Sequence, residues 1–147
     1  MRLELTRRGD YAVRAMLAIV ASDDARPMSV RRIADSMAIP PRILPSVMRA
    51  LLRAGLIEAH EGRSGGYRLA IPATEVSLLT VIEALEGDTR RKTCVLRGGP
   101  CGRDGHCAVH AAFYEAQEAL RSELARATLA EVVRSGGLEP EPVPSPI

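Results

Sequence analysis

A basic, glycine-rich turn between two short β-type segments restricts the fold more than any other feature of this sequence. Residues 56–60 and 67–70 favour strands, and the intervening residues 61–66 include three glycines and an arginine. This arrangement predicts an antiparallel two-stranded hairpin. Pro72 ends the hairpin because proline cannot donate a ladder hydrogen bond.

Three amphipathic helices are predicted before the hairpin, with apolar residues recurring every three or four positions. They cover Asp10–Val20, Val30–Met37 after the capping residue Ser29, and a third segment that Gly55 ends. A tight turn at residues 38–41 separates the second helix from the third. Helix, turn and helix followed by a basic hairpin predict a winged helix-turn-helix domain over residues 1–75.

Pro45 lies inside the third predicted helix, where it would remove a backbone hydrogen bond. Two arrangements accommodate it. Either the helix begins near Leu44, with Pro45 in its first turn, or the helix is kinked. Val47, Leu51 and Leu52 are expected on its buried face.

The second half of the chain is predicted to be helical, with one long loop. Its elements are a helix over Leu78–Glu86 between the cap Ser77 and the stop Gly87, a loop over 88–106, a helix from about Cys107 to Arg126, and a last helical turn over 128–133. Residues 76–134 are therefore assigned to a cysteine-containing loop with dimerisation helices. Residues 135–147 are expected to form a disordered, Pro-rich tail.

The long helix carries a regular apolar stripe. Its members are Val109, Phe113, Ala116, Leu120 and Ala127. Such a stripe is typical of a helix that packs against a partner helix, so a homodimer is expected. The predicted fold class is mainly α with a small β-hairpin: a winged helix-turn-helix domain plus a long C-terminal dimerisation helix.

Composition excludes several classes of protein. Apolar residues make up 46% and charged residues 26%, enough for a core, which must use aliphatic side chains because there is no Trp and only one Phe. No apolar run approaches the roughly 18 residues of a membrane span. The N-terminus lacks the apolar region of a signal peptide, so a cytoplasmic location and no membrane partner are expected. No nucleophile–base pair or phosphate loop is present, so an enzyme is not expected.

Charge is distributed unevenly along the chain. Residues 1–68 hold 12 arginines and 7 acids, a net charge of +5, whereas residues 69–147 hold 8 basic residues and 11 acids, a net charge of −3. A basic winged helix points to double-stranded DNA as the partner.

The residues expected to contact DNA lie on the second helix, the third helix and the turn of the hairpin. They are Arg31, Arg32, Arg42, Ser46, Arg49, Arg63, Ser64 and Gly65. Arg42 and Arg49 are seven positions apart, about two helical turns, so both are expected on the face that enters the major groove. The arginine at the hairpin turn suits a narrow minor groove, and those on the second helix suit phosphates. The glycine allows the backbone to approach closely.

Three cysteines, Cys94, Cys101 and Cys107, occur within 14 residues, and His110 follows. An odd number of thiols in one segment argues against a disulfide framework and favours metal or redox chemistry. Zinc modules usually contain paired Cys-x-x-Cys knuckles, which are absent, whereas iron–sulfur clusters accept looser spacing. Glycines and basic residues in the loop would suit a bulky anionic cluster.

Several of these motifs together resemble the IscR and NsrR family. They are Met1-Arg2-Leu3, the segment from Gly9 to Leu17, the hairpin turn from Gly62 to Tyr67, and the three cysteines that lead into the long helix. The resemblance covers about residues 1–134. It implies a dimeric winged-helix regulator whose iron–sulfur cluster controls promoter binding. This chain departs from the family by two extra residues before the first helix and by Pro41 and Pro45 in the recognition segment.

By this resemblance, Cys94, Cys101 and Cys107 are cluster ligands. His110 falls where the IscR branch has a histidine ligand to a 2Fe–2S cluster, and Asp10 falls where the NsrR branch has an aspartate that completes a 4Fe–4S cluster from the partner subunit. The chain contains both residues, and a 2Fe–2S cluster with His110 is favoured.

The sequence thus predicts a homodimeric transcription regulator, mainly a repressor, that binds a pseudo-palindromic operator with half-sites about one helical turn apart. An iron–sulfur cluster would make promoter binding sensitive to redox state, nitric oxide or iron–sulfur status. Two alternatives stay open: a thiol- or zinc-based sensor on the same winged helix, and an iron–sulfur redox carrier.

Overall fold

A computed structural model describes residues 3–22, 25–100 and 107–138. It contains six helices and one hairpin in these ranges. They are α1 (Arg7–Ala21), α2 (Val30–Met37), α3 (Leu44–Arg53), β1 (Ile57–His60), β2 (Gly66–Leu69), α4 (Leu78–Glu86), α5 (Ala108–Arg126) and α6 (Leu129–Arg134). The predicted class, mainly helical with one antiparallel hairpin, is confirmed. No helix in the described part is long and apolar enough to cross a membrane.

Local capping signals placed most helix ends as predicted. The Ser29 hydroxyl accepts from the Arg32 amide at 3.2 Å, and the Ser77 hydroxyl accepts from the Thr80 amide at 3.1 Å. Gly55, with φ of 73°, ends α3, and its amide donates to the Leu52 carbonyl.

Helix α1 begins three residues before the predicted start at Asp10. Thr6 is its N-cap, because the Thr6 hydroxyl accepts from the Gly9 amide at 3.1 Å. The periodicity of apolar residues could not show this turn, since Arg7 and Arg8 are exposed. Cap chemistry rather than hydrophobicity sets the start of the helix.

One apolar core joins the elements. Its fully buried side chains come from α1, α2, α3, α4 and α6, and include Met16, Ile33, Met48, Val81 and Leu129. Packing therefore runs across residue 75, where the sequence predicted a domain boundary, and that boundary stays a prediction. The aliphatic and methionine side chains fill the core as composition required, and the single phenylalanine, Phe113, lies outside it.

The hairpin is docked on the chain segment before α2. Strands β1 and β2 pair with Ile57 opposite Leu69 and His60 opposite Gly66. On the other edge of β2, the amide and carbonyl of Tyr67 each form a 2.8 Å hydrogen bond with Met28. Gly66 is required at this contact, because a Cβ there would lie 2.3 Å from the Met28 carbonyl oxygen.

The turn between α2 and α3 contains a backbone conformation that alanine disfavours. Ala38 has φ of 52° and ψ of 41°, in the left-handed region, and the Ile39 amide closes the turn onto the Ala34 carbonyl at 3.0 Å. An L-residue there costs roughly 1–2 kcal/mol relative to the right-handed conformation.

We expect Ala38→Gly to stabilise the fold by about 0.5–1 kcal/mol, because relief of this strain exceeds the added entropy of the unfolded chain. Urea unfolding at a fixed protein concentration measures the change. Ala54→Gly is the matched control, because Ala54 is also exposed at a helix end but has φ of −75°. The control should destabilise the protein, and a loss of stability in both variants would contradict the assignment of strain to Ala38.

Candidate nucleic-acid interface and thiol segment

Helix α3 begins at Leu44, and Pro45 occupies its first turn. The first of the two predicted arrangements is therefore correct, and no kink is needed because the missing amide would have no partner in the first turn. Arg42 lies in the preceding turn rather than on the helix. The expected two-turn relation between Arg42 and Arg49 on one helix face is wrong, although both side chains are exposed.

The remaining predicted contacts of the helices are placed on the surface. Arg31 and Arg32 are exposed in the first turn of α2, and Arg31 lies 3.9 Å from the Asp35 carboxylate with both side chains largely in solvent. Ser46 is exposed in the first turn of α3, and its hydroxyl donates to the Ile43 carbonyl at 2.9 Å. That hydroxyl keeps its acceptor capacity for another partner.

The turn between β1 and β2, which is the tip of the wing, exposes the two side chains that were predicted to contact DNA from the hairpin. Arg63 and Ser64 are exposed between β1 and β2. Gly65 makes the turn possible, because a Cβ there would lie 2.5 Å from the His60 carbonyl oxygen and 2.8 Å from the Gly62 carbonyl oxygen. Gly65 thus shapes the tip that presents its two neighbours.

A charged cluster on the hairpin was not predicted. Glu58 and Arg68 are cross-strand partners and form a hydrogen-bonded ion pair, and His60 Nε2 lies 3.1 Å from the same carboxylate oxygen. Hydrogen bonds from Arg68 and His60 hold the pKa of Glu58 below its usual range. The sequence does contain a signal for this ion pair, because the two opposite charges lie at equal distances from the centre of the turn. That signal predicts a contact only when the strand register is known.

Four arginines of the candidate interface are left available for an anionic ligand. Among the described residues of that interface, those that are exposed and have no ion-pair partner are Arg32, Arg42, Arg49 and Arg63. Unpaired guanidinium groups on a recognition segment and a wing can be neutralised by phosphates without first breaking an internal salt bridge.

The thiol segment, residues 88–107, begins as a strip held against α5. The Arg91 amide donates to Gln117 Oε1 at 2.7 Å, and Arg90 Nε donates to Glu118 Oε1 at 3.2 Å. One turn further along α5, the guanidinium of Arg121 contacts both the Thr89 hydroxyl and the Glu83 carboxylate. The segment is therefore fixed to one turn of α5 before the first cysteine is reached.

Cys94 lies in a turn that favours a thiolate. Backbone amides of Leu96 and Arg97 hydrogen-bond its sulfur, and these bonds lower the pKa of Cys94, with the nearby guanidinium groups of Arg97 and Arg91 acting in the same direction. The Cys94 backbone is closed by a 2.8 Å hydrogen bond from its amide to the Gly99 carbonyl. A second bond, from the Gly98 amide to the Cys94 carbonyl at 3.0 Å, closes the turn that holds this thiol.

Cys107 and His110 lie together at the start of α5. Cys107 is the N-cap residue and His110 is in the first turn, where its ring stacks on Tyr114 with centroids 6.5 Å apart. Cys94 and Cys107 are both half-buried and neither forms a disulfide. Cys101 lies outside the described residues.

Asp10 lies in the first turn of α1, where its Oδ1 atom accepts a 2.8 Å hydrogen bond from Arg14 Nε. Within the described ranges, no group of three or more histidine, cysteine, aspartate or glutamate side chains converges on a metal-sized position. The donors that are described, two thiols and an imidazole, fit an iron–sulfur cluster or another thiophilic metal by their chemistry.

Helix α5 exposes the apolar stripe that the sequence predicted. No residue of α5 is buried, and Val109, Phe113, Tyr114 and Leu120 are 39–49% exposed. Helix α4 and the segment that follows it run antiparallel to the second half of α5. At one end the Leu78 amide donates to the Ala127 carbonyl, and at the other the Arg91 amide donates to Gln117 Oε1. The first half of α5 continues beyond these contacts and carries most of the exposed stripe.

The recognition helix of this winged helix is α3, and its wing is the β1–β2 hairpin. A winged helix that presents unpaired arginines at these two elements and is joined to a long helix is the architecture of a DNA-binding transcription regulator. A family model described as "Rrf2: Iron-dependent Transcriptional regulator" matches residues 5–135. The chain belongs to the Rrf2 family.

Similarity to individual proteins agrees with this membership. The chain is 31% identical over 139 residues to Protein rrf2 of Nitratidesulfovibrio vulgaris, covering 95% of this chain and 93% of that protein. It is 30% identical over 133 residues to the transcriptional regulator IscR of Escherichia coli, covering 90% of this chain and 82% of that protein. The structure of CymR, the global cysteine regulator of B. subtilis, superposes with a TM-score of 0.78 at 22% identity, covering 91% of this chain and 98% of that chain. The protein is therefore a transcriptional regulator and not an enzyme.

The ion pair between Glu83 and Arg121 predicts a pH dependence of stability. The hydrogen bond from Arg121, followed by those from Thr89, lowers the pKa of Glu83. A carboxylate with a lowered pKa stabilises the folded state above its ordinary pKa, and this contribution is lost as the pH falls through the folded value. We expect Glu83→Gln to cost about 1 kcal/mol at pH 7, a difference that shrinks as the pH falls below about 4.5.

Urea unfolding of the wild type and the variant at pH 7, 5, 4 and 3 tests this expectation. Glu75→Gln is the control, because Glu75 is exposed and precedes α4. A stability difference for Glu83→Gln that stays constant over this range would show that the carboxylate is not the stabilising group.

Proposed function

We propose that this chain is a homodimeric transcription regulator, mainly a repressor, whose promoter binding is controlled by an iron–sulfur cluster held by Cys94, Cys101 and Cys107. The observation that carries the proposal is the turn at Cys94, where two backbone amides and two guanidinium groups favour a thiolate. When bound, such a cluster would supply a centre sensitive to oxidants, nitric oxide and iron supply.

His110 is the favoured fourth ligand, to a 2Fe–2S cluster. Within the described residues its imidazole makes only the ring contact with Tyr114, and it lies one helical turn after Cys107. The competing ligand to a 4Fe–4S cluster, Asp10 of the partner subunit, already accepts a charge-assisted hydrogen bond from Arg14 at Oδ1, which leaves Oδ2 for a metal. The exposed histidine has no such competing hydrogen bond among the described residues, so it is the more available donor.

The exposed stripe on α5 supports the dimer. It holds the only phenylalanine in the sequence, and contiguous exposed apolar side chains on a regulator mark an interaction surface. Two copies related by a two-fold axis would present two recognition helices and two wings to a pseudo-palindromic operator. The proposed DNA contacts are Arg31, Arg32, Arg42, Ser46, Arg49, Arg63, Ser64 and Gly65.

A thiol-based sensor is the second candidate. The same turn that would favour a metal-bound Cys94 also favours a free, reactive thiolate. B. subtilis CymR, which shares the fold, is named a cysteine regulator. This candidate keeps the winged helix and replaces the cluster by reversible oxidation of a cysteine.

Anaerobic reconstitution with ferrous iron and sulfide tests the cluster and its fourth ligand. We expect a coloured protein with about two iron and two sulfide per protomer. His110→Ala should shorten the lifetime of the cluster in air, Cys94→Ala should prevent its assembly, and Asp10→Ala should change neither. Glu115→Ala, an exposed position on α5, is the control.

Other outcomes of this experiment reassign the site. A ratio near four iron to four sulfide that is lost in Asp10→Ala would favour the aspartate. A colourless protein with stoichiometric zinc, or with neither metal and with a reversible cysteine oxidation that alters DNA binding, would reject the cluster.

Substitution of an interface arginine tests the DNA surface. If Arg49 contacts a phosphate, Arg49→Ala should weaken duplex binding at all sequences and reduce the salt slope by about 1. If it contacts a guanine, the loss should be about 1–3 kcal/mol and confined to one base position. Mobility-shift titrations at several salt concentrations separate the two results.

Arg134→Ala is the matched control for this titration, because Arg134 is exposed on α6, which is not part of the wing or the recognition helix. Equal losses in Arg49→Ala and Arg134→Ala would show a general charge effect rather than a local contact.

A further inference from the structure

The last turn of α4 ends in two carboxylates that face different parts of the molecule. Glu83 accepts hydrogen bonds from the Thr89 amide at 3.2 Å and the Thr89 hydroxyl at 3.0 Å, and it also contacts Arg121 of α5. Glu86 accepts from the Thr6 amide at 2.8 Å and the Thr6 hydroxyl at 2.7 Å. One helical turn therefore holds both the start of the thiol segment and the start of α1.

The Glu86 carboxylate packs closely against the first turn of α1. The Thr6 hydroxyl that donates to Glu86 also accepts from the Gly9 amide at 3.1 Å, so the carboxylate is connected to the first turn of α1 through one hydroxyl group. A Cβ at Gly9 would lie 2.2 Å from Glu86 Oε1, so a larger residue there would displace the carboxylate from this position. A carboxylate at this end of a helix also interacts favourably with the helix dipole.

The contact of Glu83 with the thiol segment is equally specific. Arg121, whose side chain is only 11% exposed, lies between Glu83, Asp88 and Glu118. Thr89, which Arg121 and Glu83 share, lies five residues before Cys94. Arg91 lies between Thr89 and Cys94, and it bonds Gln117 of α5 as well as the Thr93 and Cys94 carbonyls. A displacement of Cys94 is therefore passed to the contacts of Thr89 through residues that are themselves held.

Helix α1 leads from this junction to the DNA-reading elements. It contacts α2, α3 and β2 as well as α4, and its residues Ala12, Ala15 and Met16 are fully buried among them. A close-packed helix transmits a shift of its end to its neighbours, since the interior has no free volume to absorb it.

We propose that Glu83 and Glu86 form a coupling junction that transmits the state of the thiol segment to α1, and through α1 to the recognition helix and wing. Both are positioning residues, and neither is expected to contact DNA or a metal. The proposal rests on the proposed function for the nature of the signal, but the mechanical connection between the two contacts is a property of the apo protein.

Hydrogen–deuterium exchange on the full-length apo protein tests the mechanical connection. Glu83→Ala removes only the contact with Thr89 and Arg121, yet exchange should become severalfold faster at residues 7–11 as well as at residues 88–91. Glu86→Ala removes only the contact with Thr6, yet exchange should become severalfold faster at residues 88–91 as well as at residues 7–11. Changes confined to the side of each substitution would overturn the coupling junction.

The ratio of DNA affinities tests the functional role. Its measurement uses protein with the thiol segment empty or loaded with ferrous iron and sulfide, and a duplex enriched from a random pool by the wild type. Typical allosteric couplings give ratios of about 5–150-fold, and either alanine variant should move the ratio towards one while still loading iron. A wild-type-like ratio in both variants would overturn the role of the junction.

Conservative variants keep the test independent of folding. Glu86→Gln retains an acceptor oxygen for Thr6 and should keep most of the wild-type ratio, and Glu75→Ala should keep all of it. If the wild type itself shows no difference between loaded and empty protein, the proposed control by a cluster fails. The exchange experiment still decides the junction in that case.

Discussion

Burial of α1 is the constraint on which the rest of the winged helix depends. Ala12 and Ala15 have no exposed surface, and their small side chains let the neighbouring elements approach the helix closely. Met16 fills the space between these elements, and burial of one such side chain contributes about 1.5–3 kcal/mol. Since α2, α3, α4, α6 and β2 all contact α1, its position fixes the angle between the recognition helix and the wing.

Helix α5 is held in a different way. It buries none of its residues, and its contacts with α4 and the thiol segment include hydrogen bonds and ion pairs centred on Gln117, Glu118 and Arg121. Polar contacts near the surface set geometry more strongly than they set stability. The exposed apolar side of α5 is therefore the face that the proposed dimer would cover, while its polar side determines where the thiol segment begins.

Short-range signals explain what the sequence could predict. The caps Ser29 and Ser77, the stop at Gly55 and the glycine-rich wing turn each act within a few residues, and the structure confirms them. Arg42 was misplaced because Pro45 fits the first turn of α3, which moves the helix start past Arg42.

The contact between Glu86 and Thr6 had no sequence signal, because the two residues are 80 positions apart and their pairing depends on how α1 packs against α4. The candidate thiol site was predicted by residue type alone. Residue type identifies soft ligands, but the reason that a thiolate is favoured at Cys94 lies in the backbone turn that follows it.

The acidic and basic halves of the chain differ in whether their charged side chains form ion pairs. In the acidic half, the carboxylates Glu83, Asp88 and Glu118 lie around Arg121 and Arg90, so their charges hold the thiol segment against α5. In the basic half, the described arginines of the recognition segment and wing tip are not used in this way. The net charge near zero therefore combines two groups of charges with different roles. Acidic residues fix the geometry of the start of the thiol segment, and unpaired arginines stay available for phosphates. Under the proposed function, a change at the thiol segment would therefore alter DNA affinity without altering the charge that DNA meets.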